Sequence, residues 1–245
     1  RNGLALINGD DANACDVAAK APCPIKKIGM SADNDVQIKD VEYLPEGSSF
    51  SLDGETYHIS MVGEFNVRNA AMAVSAALFA GLTADEARAG LVSFEGVARR
   101  QELKGEVNGI KVIDDFAHHP TAIKLAVAAL RQRYQGNRLW VLFEPRSNTT
   151  KRSVFQTELA ESLALADFAV VAAMSDLHKV PEAERLNPDR LASDIAAFGG
   201  KGWYLPGVAE IVDLVSAEAK PGDIIAVLSN GGFGGIHQKL LDRLA

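Results

Sequence analysis

The stretch IDDFAHHPTAI, residues 113–123, sets two aspartates and two histidines between an apolar run and a proline. Upstream, GIKVIDD (109–115) reads as a strand. Downstream, Pro120 suits the first turn of a helix over 120–134, where its missing N–H would have no partner. The same alternation runs to the end of the chain. RLWVLFE leads to a helix at 151–165, FAVVAAM to one at 188–198, GWYL to one at 207–218, and DIIAVLS to one at 234–244. Apolar strands alternating with amphipathic helices predict an α/β fold, a Rossmann-like mainly parallel sheet with helices on both faces. Ligands bind such sheets at the carboxyl ends of the strands, and each polar cluster of this half follows a strand.

Four clusters are candidates for chemistry. In DDFAHHP, His118 and His119 are adjacent in an extended segment and point apart, so they do not share a metal. Either a histidine caps the helix while an aspartate orders the turn, or an aspartate accepts ribose hydroxyls at the strand's end. Asp115 and His118 are the expected working residues, with Asp114, His119 and Pro120 building the turn. In FEPRSNTTKRS (143–153), Arg146, Ser147, Asn148, Lys151 and Arg152 lie between a strand and a helix start, a setting that favours anions. A solvated helix start competes with that reading for Lys151 and Arg152. LSNGGFGGIHQKLL (228–241) packs Ser229, Asn230, Gly231 and Gly232 after a strand, where glycines admit a ligand close to the backbone. It is neither a P-loop nor a full GxGxxG, because His237 stands at the last glycine. That break, and a glycine turn on the last strand, argue against a dinucleotide-binding oxidoreductase. In GEFNVRNA (63–70), Asn66 and Asn69 lie near a helix start and could cap it or read a purine edge.

The 245 residues carry a formal net charge of −7, which argues against a broad nucleic-acid surface. No apolar run is long enough for a membrane span. The two cysteines, Cys15 and Cys23, match no zinc or CxxC spacing and suit a reducing, cytoplasmic compartment. The first part reads as β-rich, with a hairpin at Asp53-Gly54. An alanine-rich helix follows, with Val67, Ala70, Ala71, Val74 and Leu78 on one face. Gly81 ends it, and a second helix starts at a Thr83/Glu86 capping box. EGVARRQELKG lacks periodicity and marks a boundary: residues 1–95 form one domain, 96–104 a linker and 105–245 a second domain.

Taken in order, GEFNVRNAAMAVSAA, FEGVARRQE, DDFAHHPTAI, EPRSNTTK and LSNGGFGGIHQKLL resemble the Mur ligases of peptidoglycan synthesis. DDxxHHPT looks like the branch acting on UDP-N-acetylmuramate. EPRSNT and SNGGFGGIHQKLL resemble its members that add the murein tripeptide L-alanyl-γ-D-glutamyl-meso-diaminopimelate. The resemblance covers nearly the whole chain, most strongly from residue 62 onward. It implies an ATP- and magnesium-dependent ligase of cell-wall recycling, with residues 1–95 as the rear of a central ATPase domain. By that resemblance Asn66 and Asn69 match adenine-contacting asparagines. Arg100, with help from Arg99, matches an arginine reaching the ATP phosphates, Asp115 an aspartate near the ribose, and His118 a histidine at the nucleotide–substrate junction. Arg146, Ser147 and Asn148 resemble a peptide-binding loop. Ser229, Asn230, Gly231 and Gly232 lie where the incoming amine is received.

Phe65 stands where the family usually has histidine, so a purine contact there would be stacking without a hydrogen bond. MSDLHKVPEAERLNP (174–188) has no assigned role; His178 and Lys179 within it either touch the peptide or lie at the surface. The chain opens at Arg1 directly on a strand pattern, so an upstream part of a longer protein is expected to be missing. The family's P-loop, carbamylated lysine, magnesium ligands and UDP-binding domain would lie there, and this chain alone is expected to be inactive, with no catalytic or metal-binding residue of its own. The sister activity, which adds L-alanine to UDP-N-acetylmuramate, and a non-catalytic nucleotide- or peptide-binding module are the alternatives.

Overall fold

A computed structural model describes residues 3–245; Arg1 and Asn2, the first positions of the expected first domain, lie outside the described residues. The chain divides into two compact units, one ending at Gly96 and the other running from Val97 to Ala245.

The first unit contains β1 (Ala5–Asn8), α1 (Ala12–Ala18), β2 (Ile25–Gly29), β3 (Val36–Leu44), β4 (Gly47–Leu52), β5 (Glu55–Ile59), α2 (Glu64–Phe79) and α3 (Ala84–Ser93). Its sheet has the order β1-β2-β3-β4-β5, parallel across the first three strands and antiparallel across the last three. Asp53 and Gly54 turn β4 into β5 with φ of 51° and 85°, the left-handed pair that matches strand twist in a two-residue hairpin. Val67, Ala70, Ala71 and Val74 of α2 pack on Ile28, Leu52 and the stacked rings of Phe50 and Tyr57, while Leu78 lies at the margin. The Thr83/Glu86 capping box is formed. The β-rich reading of this part needs a correction at α1. Its sequence carries little apolar periodicity, and it forms because Asp11 caps it, accepting a hydrogen bond from the Ala14 N–H.

The second unit contains β6 (Glu102–Val107), β7 (Ile110–Asp115), α4 (Pro120–Arg133), β8 (Leu139–Phe143), α5 (Gln156–Leu163), β9 (Phe168–Ala172), α6 (Pro188–Ala197), β10 (Lys201–Leu205), α7 (Val208–Glu218), β11 (Ile224–Leu228) and α8 (Ile236–Leu244). The order is β10-β9-β8-β11-β7-β6, parallel except for the edge strand β6. Side-chain alternation along the strands builds two cores. Ile113, Val141, Phe143 and Val171 face α4, α5 and α6 through Val127, Leu163 and Ile195. Val112, Trp140, Leu142 and Val170 face α7 and α8 through Val215 and Leu240. Helices therefore cover both faces, as the apolar strands required.

Three boundaries differ from the sequence reading. The helix expected at 151–165 begins only at Gln156, after a 3-10 turn at Ser153–Phe155. Arg152 is extended there, bridging Arg185, and the Lys151 carbonyl accepts the Leu186 N–H. The last helix starts at Ile236, because Gly234 and Gly235 take φ of 57° and 70°, a conformation that interrupts a helix. The strand β6 occupies a segment with no apolar alternation and includes residues 102–104.

Candidate functional site

The parallel register sets Asp115, Leu228 and Phe143 abreast at the ends of β7, β11 and β8. The turns that follow leave the sheet at one level and bond to one another. The Ser229 N–H donates to the Asp115 carbonyl and the Glu144 N–H to that of Leu228, each at 3.1 Å. The Ser229 hydroxyl donates to Glu144 and accepts the Gly231 N–H at 2.8 Å. DDFAHHP, EPRSN and SNGG, separate in sequence, thus form one rim.

Asp115 is buried, and both its oxygens are engaged: Gln101 N–H donates to one at 3.0 Å and Ala117 N–H to the other at 2.7 Å. Burial pushes its carboxyl above the usual range, against the pull of these amides and of Arg100. Asp115 therefore orders this turn as well as standing at the strand's end. His118 donates from Nδ1 to the Phe116 carbonyl at 2.9 Å, which leaves Nε2 as a free acceptor when the ring is neutral. His119 caps α4 and is the opposite tautomer, with Nδ1 accepting the Thr121 N–H at 3.4 Å and its ring against Phe155. The two imidazoles do not converge.

The two boundary arginines separate in role. Arg100 is exposed, lies over the Phe116 ring and makes no ion pair among the described residues. Arg99 holds the rim together. Its Nε donates to Asp114 at 3.1 Å, and Nη2 donates to the carbonyls of Ser229 and Gly231 at 2.7 Å each. Arg99 and Gln101 both have left-handed φ, 61° and 51°, which costs backbone strain. Glu102 and Asp115 hold that conformation by accepting the two N–H groups. His237 Nε2 lies 3.3 Å from the other Asp114 oxygen. The alignment is too poor for a hydrogen bond, and neither buried atom has another partner. Burial pushes the imidazole below its ordinary pKa and outweighs the pull of Asp114, which favours its neutral form.

On the β8 side, Arg146 is exposed with no carboxylate partner among the described residues, and its guanidinium lies across Gly231, where a Cβ would stand 2.3 Å from Nη1. Ser147 is occupied locally with Thr150 at 2.7 Å, and Asn148 is exposed. On β11, Ser229 is fully buried, so its hydroxyl shapes the turn. Asn230 keeps a buried Oδ1 without a partner, and Gly231 and Gly232 present backbone. Lys151 is only 3 % exposed, which overturns the solvated reading, whereas Arg152 is at the surface and pairs with Glu184. His178 and Lys179 are exposed.

In the first unit, Gly63 enters α2 at φ 110°, and no side chain caps the helix. Asn66 instead donates to the Val62 carbonyl at 2.9 Å, and Asn69 is exposed. Arg68 ties this helix start to Glu64, Asn8 and Asp10. Glu144, Asp114 and Arg68 entered the sequence reading without a site role. Their one signal was position, beside a glycine turn, a strand end or the paired asparagines. Among the described residues no group of three or more His, Cys, Asp or Glu side chains could hold a metal ion, and no helix is long and apolar enough to cross a membrane.

The family model for the Mur ligase, glutamate ligase domain, matches residues 99–231, and that for the Mur ligase middle domain matches residues 1–77. The chain is 43% identical over 198 residues to UDP-N-acetylmuramate–L-alanyl-gamma-D-glutamyl-meso-2,6-diaminoheptandioate ligase of Escherichia coli (strain K12), covering 79% of this chain and 41% of that protein. It is 30% identical over 249 residues to UDP-N-acetylmuramate–L-alanine ligase of Kineococcus radiotolerans, covering 99% and 52%. The crystal structure of a murein peptide ligase from Psychrobacter arcticus superposes with a TM-score of 0.69 at 33% identity, covering 99% of this chain and 51% of that one. The chain thus spans about half the length, or less, of the relatives it matches.

Proposed function

The chain belongs to the Mur ligase family, and on that premise we propose that it is part of an ATP-dependent amide ligase joining L-alanyl-γ-D-glutamyl-meso-diaminopimelate to UDP-N-acetylmuramate. The first unit is then the rear of the central ATP-binding domain, and the second is the C-terminal ligase domain. The observation that carries the reading is the common rim at the ends of β7, β8 and β11, where an anion-ready arginine, an open glycine turn and a histidine acceptor come together. The choice of tripeptide over L-alanine rests on the 43% identity to the tripeptide ligase against 30% to the alanine ligase.

In the proposed reaction the lactyl carboxylate of UDP-N-acetylmuramate takes the γ-phosphoryl group of ATP and ADP leaves. The α-amine of the peptide's L-alanine then attacks the acyl carbon, phosphate departs, and the nitrogen loses a proton. Residues of this chain bind and orient. Asn66 and Asn69 meet the adenine, with Phe65 stacking beside it. Arg100 meets phosphate charge, and Asp115 and His118 border the nucleotide, His118 accepting through Nε2. Arg146 forks a peptide carboxylate. Ser147 and Ser229 shape the turns that present Asn148, Asn230, Gly231 and Gly232 to the peptide. No residue of this chain is assigned to magnesium, which supplies charge neutralisation at the phosphates when bound. Two free cysteines fit a cytoplasmic setting.

The test is amide formation by the full-length protein from UDP-N-acetylmuramate, ATP and either the tripeptide or L-alanine. We expect the tripeptide to be preferred. A strong preference for L-alanine would overturn the substrate assignment and leave the family membership standing.

A further inference from the structure

We propose that Lys151 is a specificity-determining residue that binds a carboxylate of the incoming peptide, an inference that rests on the peptide-ligase reading above. The sequence places Lys151 in a polar stretch where a lysine would ordinarily extend into water. The structure leaves it 3 % exposed, among the most buried charged residues of the chain. The other buried charged residues have partners: Asp223 pairs with Arg138, Asp114 with Arg99, and Asp115 accepts two amides. Lys151 has neither an ion pair nor a side-chain hydrogen bond among the described residues. A lysine whose stem is buried and whose ammonium has no protein partner leaves that charge available to an anion that arrives from outside.

Two further features fit such a receptor. The backbone of Lys151 is fixed from both sides, its N–H donating to the Ser147 carbonyl at 3.1 Å and its carbonyl accepting the Leu186 N–H at 2.8 Å. The second bond brings in the segment 174–188, which had no role in the sequence reading, as a wall over this turn. That wall is itself braced, because Arg185 donates to the carbonyls of Val180 and Leu177. The ammonium itself is not sealed from solvent. A buried shaft therefore ends in a tip with a narrow access to solvent.

The chemistry favours a carboxylate over the polyphosphate of the nucleotide. A lysine presents one compact charge, and a tip reached through a narrow opening suits one small anionic group. Lys151 also shares its loop with Arg146, the other cation here without a carboxylate partner. The tripeptide carries three free carboxylates beyond its L-alanine, one on D-glutamate and two on diaminopimelate. Free L-alanine has none beyond its own. A lysine holding one of these carboxylates would thus discriminate between the two candidate amines.

The experiment uses the full-length protein, with Lys151→Met compared with wild type, and three peptides each amidated at a different carboxylate. Lys151→Met should raise KM for the tripeptide about thirtyfold or more, leaving kcat and the KM for ATP within roughly twofold. One amidated peptide should show the same rise with wild type, and Lys151→Met should add nothing further to it. The inference is overturned if kcat or the KM for ATP changes while the tripeptide KM does not. It is equally overturned if all three amidated peptides match the parent peptide with wild type, a result that needs no variant to fold. Amide formation with L-alanine but not with tripeptide would instead remove the substrate reading itself, and this role with it.

Discussion

Removing the guanidinium of Arg99 tests the rim where its physics is most concentrated. Arg99→Met leaves Asp114, whose side chain is 5% exposed, without its cation, and takes the donor from two carbonyls of the glycine turn. Breaking a buried pair by deleting one partner costs about 3–5 kcal/mol. Arg99 is itself 32% exposed, so water screens part of the pair and the lower end applies, about 3 kcal/mol. For a unit of this size that corresponds to a fall in Tm of about 6–12 °C. Both tryptophans, Trp140 and Trp203, lie in the second unit, so urea unfolding followed by tryptophan emission reports on that unit alone. Adding Asp114→Asn removes the stranded charge and should recover about 2 kcal/mol of the loss. The defect should also depend on pH. Arg99 is one of the charges that hold the His237 pKa down, so its removal lessens that depression. A depressed histidine costs stability as pH falls through its unfolded value, and a smaller depression costs less, so the defect should be smaller at about pH 5.5 than at about pH 8. A variant within about 0.5 kcal/mol of wild type, or a double variant less stable than Arg99→Met, would refute the reasoning.

Three other outcomes follow from the structure. Burial pushes the Asp10 carboxyl up, but Arg68, the amides of Met30 and Ser31 and the Asn34 side chain outweigh it and hold it well below the usual range. That stabilisation is present above the unfolded carboxyl pKa and lost as pH falls through the folded one, so Asp10→Asn should cost on the order of 2 kcal/mol at neutral pH and little in strong acid. Peptide-resolved hydrogen exchange over residues 3–96 measures it. Gly231→Ala places a Cβ against the Arg146 guanidinium, a flexible end that can swing away. Tm should move by less than about 2 °C while KM for the peptide rises; a large loss of Tm with unchanged KM would contradict the placement of Arg146. Thr83→Ala removes the capping box and should cost about 1 kcal/mol, seen as faster exchange at the start of α3.

The order of elements was legible because each rests on a short-range rule. The strands β7, β8 and β11 are apolar on both faces, Pro120 opens α4, Asp53-Gly54 turns a hairpin and Thr83 caps α3. β6 escaped, though Asn108-Gly109 makes a two-residue turn into β7 with φ of 50° and 76° and was a usable signal. Its alternation is broken by a register shift between Leu103 and Gly105. The start of α5 was not legible, since it is set by the bridge from Arg152 to Arg185, thirty-three positions away.

Which residues line the strand ends could be read along the chain, because polar clusters after apolar strands are local features. What those residues do with their charges depends on contacts that form only on folding. Arg99 and Arg100 are neighbours with the same side chain, yet one is locked onto Asp114 and two carbonyls while the other stays free. Asp114 and Asp115 divide in the same way, one taking an arginine and the other two amides. Lys151 and Arg152 divide again, into a buried lysine without a partner among the described residues and a surface ion pair. Asp114 and Asp115 end an extended strand, where successive side chains point to opposite sides, while Arg99 and Lys151 lie in turns that redirect theirs, and the burial and partners each meets come from strands and loops distant along the chain.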